Sequence, residues 1–457
     1  MTSELTLRDW QIPLAERQTA VLQKERIFLC AASTGAGKTY LACYTIAKLG
    51  IPTLVICPKI AISQWKSVIR GMGVEDKVIG VINPENLIAS KRNPFYAHEG
   101  GWKNIPEGPA LLVFDEMHRS CSGIFKVAKG GQKGQGCKQA LMAARWVNKS
   151  TPGHKVLALT ATPADSPLKM QALGYLMGFH SFVAPSFYDW CRRHGCSMQA
   201  RGRQAAFAFT RDRLRAKAIM EGIRKDMGER FMSITPDEIP GFPEETREVV
   251  LVDLAKEDHE ALVRAYEEMP ELMKKPSRDS MVKLLRLRQQ AEFCKASVLA
   301  KMAKDEVEDG NSVFIAISFT DARLRIQMEL EKAGVPFGAI YGGQKESERN
   351  GMIDAFQQNR THVIIGMMQA CGVALSLHDT RHERPRVSLI SPSFSASDVV
   401  QALGRIRRVG GTAATQKFVL VADSVEERVA RSIRAKLEAM SSLTDQDLLA
   451  SVKGSMI

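Results

Sequence analysis

One stretch restricts this chain more than any other: RIFLCAASTGAGKTYLACYTIAKLG, positions 26–50. A short apolar run enters a Gly-containing turn, and a helical pattern leaves it, with Gly50 at the expected stop. A turn of this kind between a strand and a helix wraps its backbone N–H groups around phosphate, and the helix N-terminus adds its dipole. In ASTGAGKT, Thr34, Gly35, Ala36 and Gly37 form the expected cradle. Lys38 is placed to reach the β and γ phosphates and Thr39 to coordinate Mg²⁺. The generic pattern starts with glycine; Ala32 stands there instead, while GxGKT is intact.

The flanking sequence predicts what such a loop is mounted on. PTLVICP (52–58), KVIGVI (77–82), ALLVFDE (110–116) and HKVLALTATP (154–163) read as buried strands alternating with helical stretches. Continuous Val/Ile/Leu strands interleaved with helices mean a parallel sheet covered on both faces. From Pro163 to about Gly241 the pattern is mostly helical, VVLVDL (249–254) reads as a strand, and 256–309 reads as helices again. Alternation returns with SVFIAIS (312–318), PFGAIYGG, THVIIGM (361–367), RVSLISP (386–392) and KFVLVADS (417–424). The expectation is two α/β lobes with helical material between them. The divisions are 1–165, a helical basic protrusion at 166–243, linking helices at 244–310, a second lobe at 311–440, and a polar tail at 441–457.

DEMH (115–118) ends the run ALLVF. Asp115 at a strand tip is placed to hold Mg²⁺, and Glu116 to orient or deprotonate an attacking water. A single carboxylate cannot both neutralise a metal and accept that proton. Arginines that could neutralise transition-state charge are not obvious in the first lobe. QALGRIRRVGG (401–411) offers them: on a helix, Arg405 and Arg408 share a face with Gln401, and Arg407 points elsewhere, into solvent.

The formal net charge of +13 is concentrated. Residues 119–149 hold seven Lys/Arg and no acid, and residues 191–230 hold eleven against four. Clustered cations that release counterions are what a polyanion requires, so nucleic acid is the expected partner. No apolar run approaches a membrane span, and MTSELTLRDWQ lacks the basic-then-apolar order of a secretory leader. Nine scattered cysteines suit a reducing compartment, so a cytoplasmic or nucleic-acid-containing location, without secretion, is expected. CRRHGC (191–196) lacks a nearby fourth ligand for zinc; only Cys121 and Cys137 could join it.

From about Leu7 to Lys436 the chain resembles the superfamily 2 helicases and translocases. LRDWQ is similar to the element that precedes motif I and helps fix adenine, which gives that role to Gln11. ASTGAGKT resembles motif I, VICPKIAISQWK motif Ia, DEMH the DEAH form of motif II, and LTATP motif III. VFIAISFTDARL resembles motif IV. IIGMMQACGVALSLHD resembles motif V, with Gly372 and Ser376 at its usual Gly and Asn positions. QALGRIRR is similar to motif VI, which carries an arginine-finger role onto Arg405 and Arg408. The resemblance implies two tandem RecA-like parallel-sheet domains with helical insertions, using ATP and Mg²⁺.

GYLMGFHSFVAPSFYDWCRRHGC after LTATP leans towards the Swi/Snf-type branch, which implies a monomeric motor on double-stranded DNA. TATP in place of TGTP, and SPSFSASDVVQALGR without the DPxWNP element, depart from that branch. An RNA or branched-DNA helicase stays open beside it. So does a nucleotide-gated binding scaffold, against which Glu116, Arg405 and Arg408 argue.

Overall fold

The computed structural model describes residues 6–84, 97–98, 101–102, 108–118, 153–181, 184–201, 204–267, 278–368, 375–391, 395–422, 424–444 and 452–453. The basic stretch 119–149, with Lys126, Lys129, Lys133, Cys121 and Cys137, and Gly372 of the motif V match lie outside the described residues. The chain divides into two compact units. The first is Met1–Ser197, Phe207–Pro240 and Ala439–Gln446; the second is Met198–Ala206, Gly241–Glu438 and Asp447–Ile457.

In chain order the strands up to the first lobe's end are β1 (Ile27–Ala32), β2 (Thr53–Ile56), β3 (Val78–Ile82), the short β4 (Ala97–His98) and β5 (Gly101–Trp102), β6 (Leu111–Asp115) and β7 (Lys155–Leu159). Helices α1 (Ile12–Lys24), α2 (Lys38–Leu49) and α3 (Ile62–Gly71) lie among them. All residues of β1 and β2 are buried, and so are Leu111–Phe114 of β6. A strand covered on both faces has no polar side to show, which is why these segments read as unbroken apolar runs.

The expected helical protrusion at 166–243 is only partly helical. It contains the helices Gln171–Leu176, Phe187–Arg193 and Arg213–Met227. It also contains β8 (Cys196–Arg201) and β9 (Gln204–Phe209), which pair with each other, and β10 (Phe231–Ile234). The last of these joins the first sheet beside β1, with Leu29 opposite Phe231 and Ala32 opposite Ile234. Four residues are too few to show a period, and the parallel ladder with β1 decides their conformation instead. The first sheet runs β10-β1-β7-β6-β2-β3, parallel throughout.

The second unit holds β11 (Glu245–Val252), β12 (Ser312–Ile317), β13 (Phe337–Ile340), β14 (Val363–Met367), β15 (Arg386–Ile390), β16 (Ala414–Val421) and β17 (Val452–Lys453). Their order is β13-β14-β12-β15-β16-β11-β17, again all parallel. Helices Ala296–Glu308 and Thr320–Lys332 pack on it through Leu299, Ala303, Ile326 and Leu330 against Val313, Ile315 and Val387. Two of the expected divisions change. The segment 244–310 is sheet as well as helix, because β11 pairs over eight residues with β16. The stretch 441–457 is more than a polar tail, because Val452 and Lys453 lie opposite Arg247 and Glu248 at the sheet edge. The molecule is thus built on two tandem RecA-like parallel sheets. Among the described residues no helix is long and apolar enough to cross a membrane.

Candidate active site

The phosphate loop leaves β1 at Ala32 and enters α2 at Lys38, as the sequence requires. Gly35 (φ +86°) and Gly37 (φ +80°) take left-handed conformations that a side chain would resist, and these bend the loop tightly enough to close over a phosphate. Ser33 anchors the loop to the neighbouring strand: its N–H and its hydroxyl both donate to Ile234 O, each at 3.0 Å. Lys38 Nζ donates to Ala32 O (2.8 Å) and Ser33 O (3.2 Å), so its ammonium lies inside the curl of the loop. That is where a β/γ phosphate would exchange for the two carbonyls.

Gln11 sits against this loop. Its Nε2 donates to Ala36 O at 3.2 Å, and its Oε1 accepts from Arg8 N at 3.0 Å. A Cβ on Gly37 would stand 2.4 Å from Gln11 Nε2 and would push that amide aside, while the left-handed φ of +80° is what calls for glycine there. The Gln11 side chain thus braces the loop directly.

Asp115 and Glu116 follow at the tip of β6. Asp115 Oδ1 accepts from Glu116 N (3.0 Å) and Oδ2 from Trp65 Nε1 (2.8 Å). Burial, reinforced by the Glu116 charge, pushes the Asp115 carboxyl up to about 6, while Trp65 and Lys38 pull it back. Glu116 has φ +50°, a left-handed backbone that a non-glycine residue adopts only where its surroundings impose it. Its Oε2 lies 3.3 Å from His118 Nδ1. The same ring nitrogen is hydrogen-bonded to Thr160 Oγ1 at 2.9 Å and Thr162 Oγ1 at 3.2 Å. The hydroxyls of TAT, beyond the end of β7, are therefore joined through His118 to the acidic pair.

The donor set fits a magnesium ion. Mg²⁺ favours hard oxygens, one or two carboxylates with substrate phosphates completing its shell. Asp115 is such a carboxylate, set beside a second acid, and the cation that acts on it, Lys38, is spent on loop carbonyls. Thr39, at the first turn of α2, carries the hydroxyl of the set.

The expected arginines belong to the second unit, and their setting differs from the expectation. The helix Ala396–Leu403 ends with Gly404 as its cap, so Arg405, Arg407 and Arg408 follow the helix and the helical-face argument does not reach them. Arg405 is buried; its Nη1 donates to Leu375 O at 3.2 Å, and Arg408 Nη2 donates to the same oxygen at 2.7 Å. Leu377 N donates to Arg405 O at 2.9 Å. The two guanidinium groups thus converge on one carbonyl. Arg407, expected in solvent, is instead locked: Nη1 meets Glu245 Oε2 at 2.8 Å, Nε donates to Pro243 O at 2.7 Å, and the group lies over the Phe242 ring. Its partners sit at the start of β11, far away in sequence. Gln401 is buried as well.

A glycine-bent loop and lysine on one strand of a parallel sheet, with paired acids at the tip of another, define a P-loop nucleoside triphosphatase. Residues 4–165 match the family described as the type III restriction enzyme res subunit, and residues 294–410 match the helicase conserved C-terminal domain. A protein of Acanthamoeba polyphaga mimivirus, named as an ATP-dependent RNA helicase, is 28% identical over 468 residues, covering 94% of this chain and 82% of its own. A solved structure described as the Sulfolobus solfataricus SWI2/SNF2 ATPase core in complex with dsDNA is 15% identical, with 96% of this chain and 95% of that chain covered and a TM-score of 0.38. The chain thus carries both helicase domains, and these matches support a superfamily 2 helicase or translocase, an enzyme of a kind that uses ATP and binds nucleic acid.

Sequence reasoning missed Trp65, Ser33 with Ile234, and the Arg407–Glu245 pair. A buried tryptophan needs a partner for its N–H, but nothing in IAISQWK says which residue supplies it.

Proposed function

We propose that this enzyme is a nucleic-acid translocase that hydrolyses Mg²⁺–ATP to move along double-stranded DNA. The observation that carries the hydrolytic part is the linked set Lys38, Asp115, Glu116, His118 and Thr160 around one phosphate loop. Lys38 and the loop N–H groups hold the β and γ phosphates. Glu116, turned out of the strand line by its left-handed backbone, takes the proton of the water whose oxygen attacks the γ-phosphorus. The bond to the β–γ bridging oxygen breaks, and ADP leaves with that electron pair. Magnesium, when bound, neutralises phosphate charge; Asp115 and Thr39 are the residues that would hold it. Arg405 and Arg408 are the groups that offset the charge growing in the transition state.

Duplex DNA as the track is supported by the likeness of the segment after LTATP to the Swi/Snf-type branch. It is also supported by the exposed Arg211, Arg213, Arg215 and Lys217 at the start of the helix Arg213–Met227. The name of the mimiviral relative favours RNA as a second reading. ATPase rates measured in parallel with duplex DNA, single-stranded DNA and RNA separate the two. Strongest stimulation by duplex DNA is expected, and strongest stimulation by RNA would overturn the duplex assignment.

A further inference from the structure

The two hydrogen bonds on Asp115 come from different places. Oδ1 is served by the next residue's backbone N–H, which travels with the strand tip. Oδ2 is served by the Trp65 indole, 50 residues away in sequence. Trp65 is 1% exposed and among the largest fully buried side chains of the protein. It descends from α3 on the same apolar face as Val68 and Ile69, which seats the helix on the sheet. Packing fixes the indole, and the indole in turn fixes one oxygen of a carboxylate. A donor aimed at an ionised oxygen is stronger and more directional than one between neutral groups.

We propose that Trp65 is a positioning residue for the hydrolytic reaction: its indole N–H locks the rotamer of Asp115 so that the carboxylate presents its remaining lone pairs to the magnesium ion. This rests on reading Asp115 as the metal-holding carboxylate. Groups that orient a ligating side chain typically contribute about 10–100-fold to metal affinity.

The test is equilibrium binding of a fluorescent ADP, titrated with Mg²⁺, in three proteins: the parent, Trp65→Phe, and the chain with benzothienylalanine at position 65. The last replaces the indole N–H by sulfur at nearly constant shape, so folding is preserved even if the phenylalanine variant loosens α3. Both are expected to need about tenfold more Mg²⁺ for half-saturation, with unchanged affinity for ADP in the absence of Mg²⁺. Steady-state hydrolysis should recover towards the parent kcat as Mg²⁺ is raised. A parent-like Mg²⁺ titration in the benzothienyl protein overturns the proposal, and so does an equal loss of ADP affinity with and without Mg²⁺. Asp115→Asn, run alongside, tells the two layers apart. If it leaves the Mg²⁺ titration unchanged, the reading of Asp115 fails; if it weakens Mg²⁺ while both position-65 proteins do not, the role of Trp65 alone fails.

Discussion

Glu116 and Lys38 serve the same phosphate loop, yet their losses should look different. Lys38→Ala removes the ammonium that would exchange two loop carbonyls for phosphate oxygens, so nucleotide binding itself should collapse in a direct binding assay. Glu116→Gln keeps shape and the backbone hydrogen bond into Asp115, so nucleotide should still bind while kcat falls about 10²–10⁴-fold, the usual contribution of a positioned base. Steady-state turnover near the parent rate in Glu116→Gln would remove it from the mechanism. Arg405→Ala and Arg408→Ala should each lower kcat at saturating nucleic acid with little change in binding. Arg407→Ala should act on folding instead. It strips Glu245 of one cation and leaves Arg247 Nη2 at 2.8 Å as the other, so a loss of about 1–3 kcal/mol in stability is expected, read from denaturant melts. If Arg407→Ala melts like the parent, its ion pair contributes nothing. Lys38, Asp115 and Glu116 were legible because each lies in a contiguous pattern whose chemistry is local. Trp65 and Arg407 were not, because their partners lie 50 and 162 residues away.

At the scale of elements, the loop and the basic helix make separate demands. Gly37→Ala would put a side chain at φ +80° and displace the Gln11 amide from Ala36 O, so it should weaken nucleotide binding more than Gly35→Ala at φ +86°. Isothermal titration with ADP would rank them, and equal losses would show that the Gln11 brace is immaterial. The helix Arg213–Met227 is capped by Asp212, whose side chain accepts from Arg215 N. Around this start Arg211, Arg213 and Arg215 are exposed to solvent. Replacing these three by alanine should lower the slope of log K against log salt by roughly one for each phosphate that is no longer neutralised. An unchanged slope would make them ordinary surface. Helices of this length announced themselves through period and caps, whereas β10 did not, since four residues between a helix and a turn have no period to read.

For the whole molecule the parallel sheets were the most legible feature, because strands covered on both faces read as apolar runs whatever covers them. What the runs could not reveal was strand order, which depends on crossovers, or the small edge strands β10 and β17. One group makes a contribution to stability that is lost on mild acidification. Burial, then the charges of Arg408 and Arg386, hold His378 down to about 4, with Asp379 pulling the other way. An unfolded histidine titrates near about 6.5. Between about 6.5 and 4 the unfolded chain therefore binds the proton that the folded one refuses, and stability is lost as pH falls through that window. His378→Gln should lose less melting temperature between about pH 7 and pH 5 than the parent; an equal loss would place the effect elsewhere. The return of the chain to the first sheet has a different kind of consequence. The excursion leaves the C-terminal end of β7 and must re-enter at the N-terminal end of the parallel β10, a crossing that needs only about a dozen or more residues. Residues 160–230 far exceed that, and doubling such a connection costs only about 0.6 kcal/mol in closure entropy. Length is therefore not what limits the excursion; its helices are seated in the first sheet's core through Leu173, Trp190, Met220 and Ile223, and it closes where Ile234 O accepts from the hydroxyl and amide of Ser33.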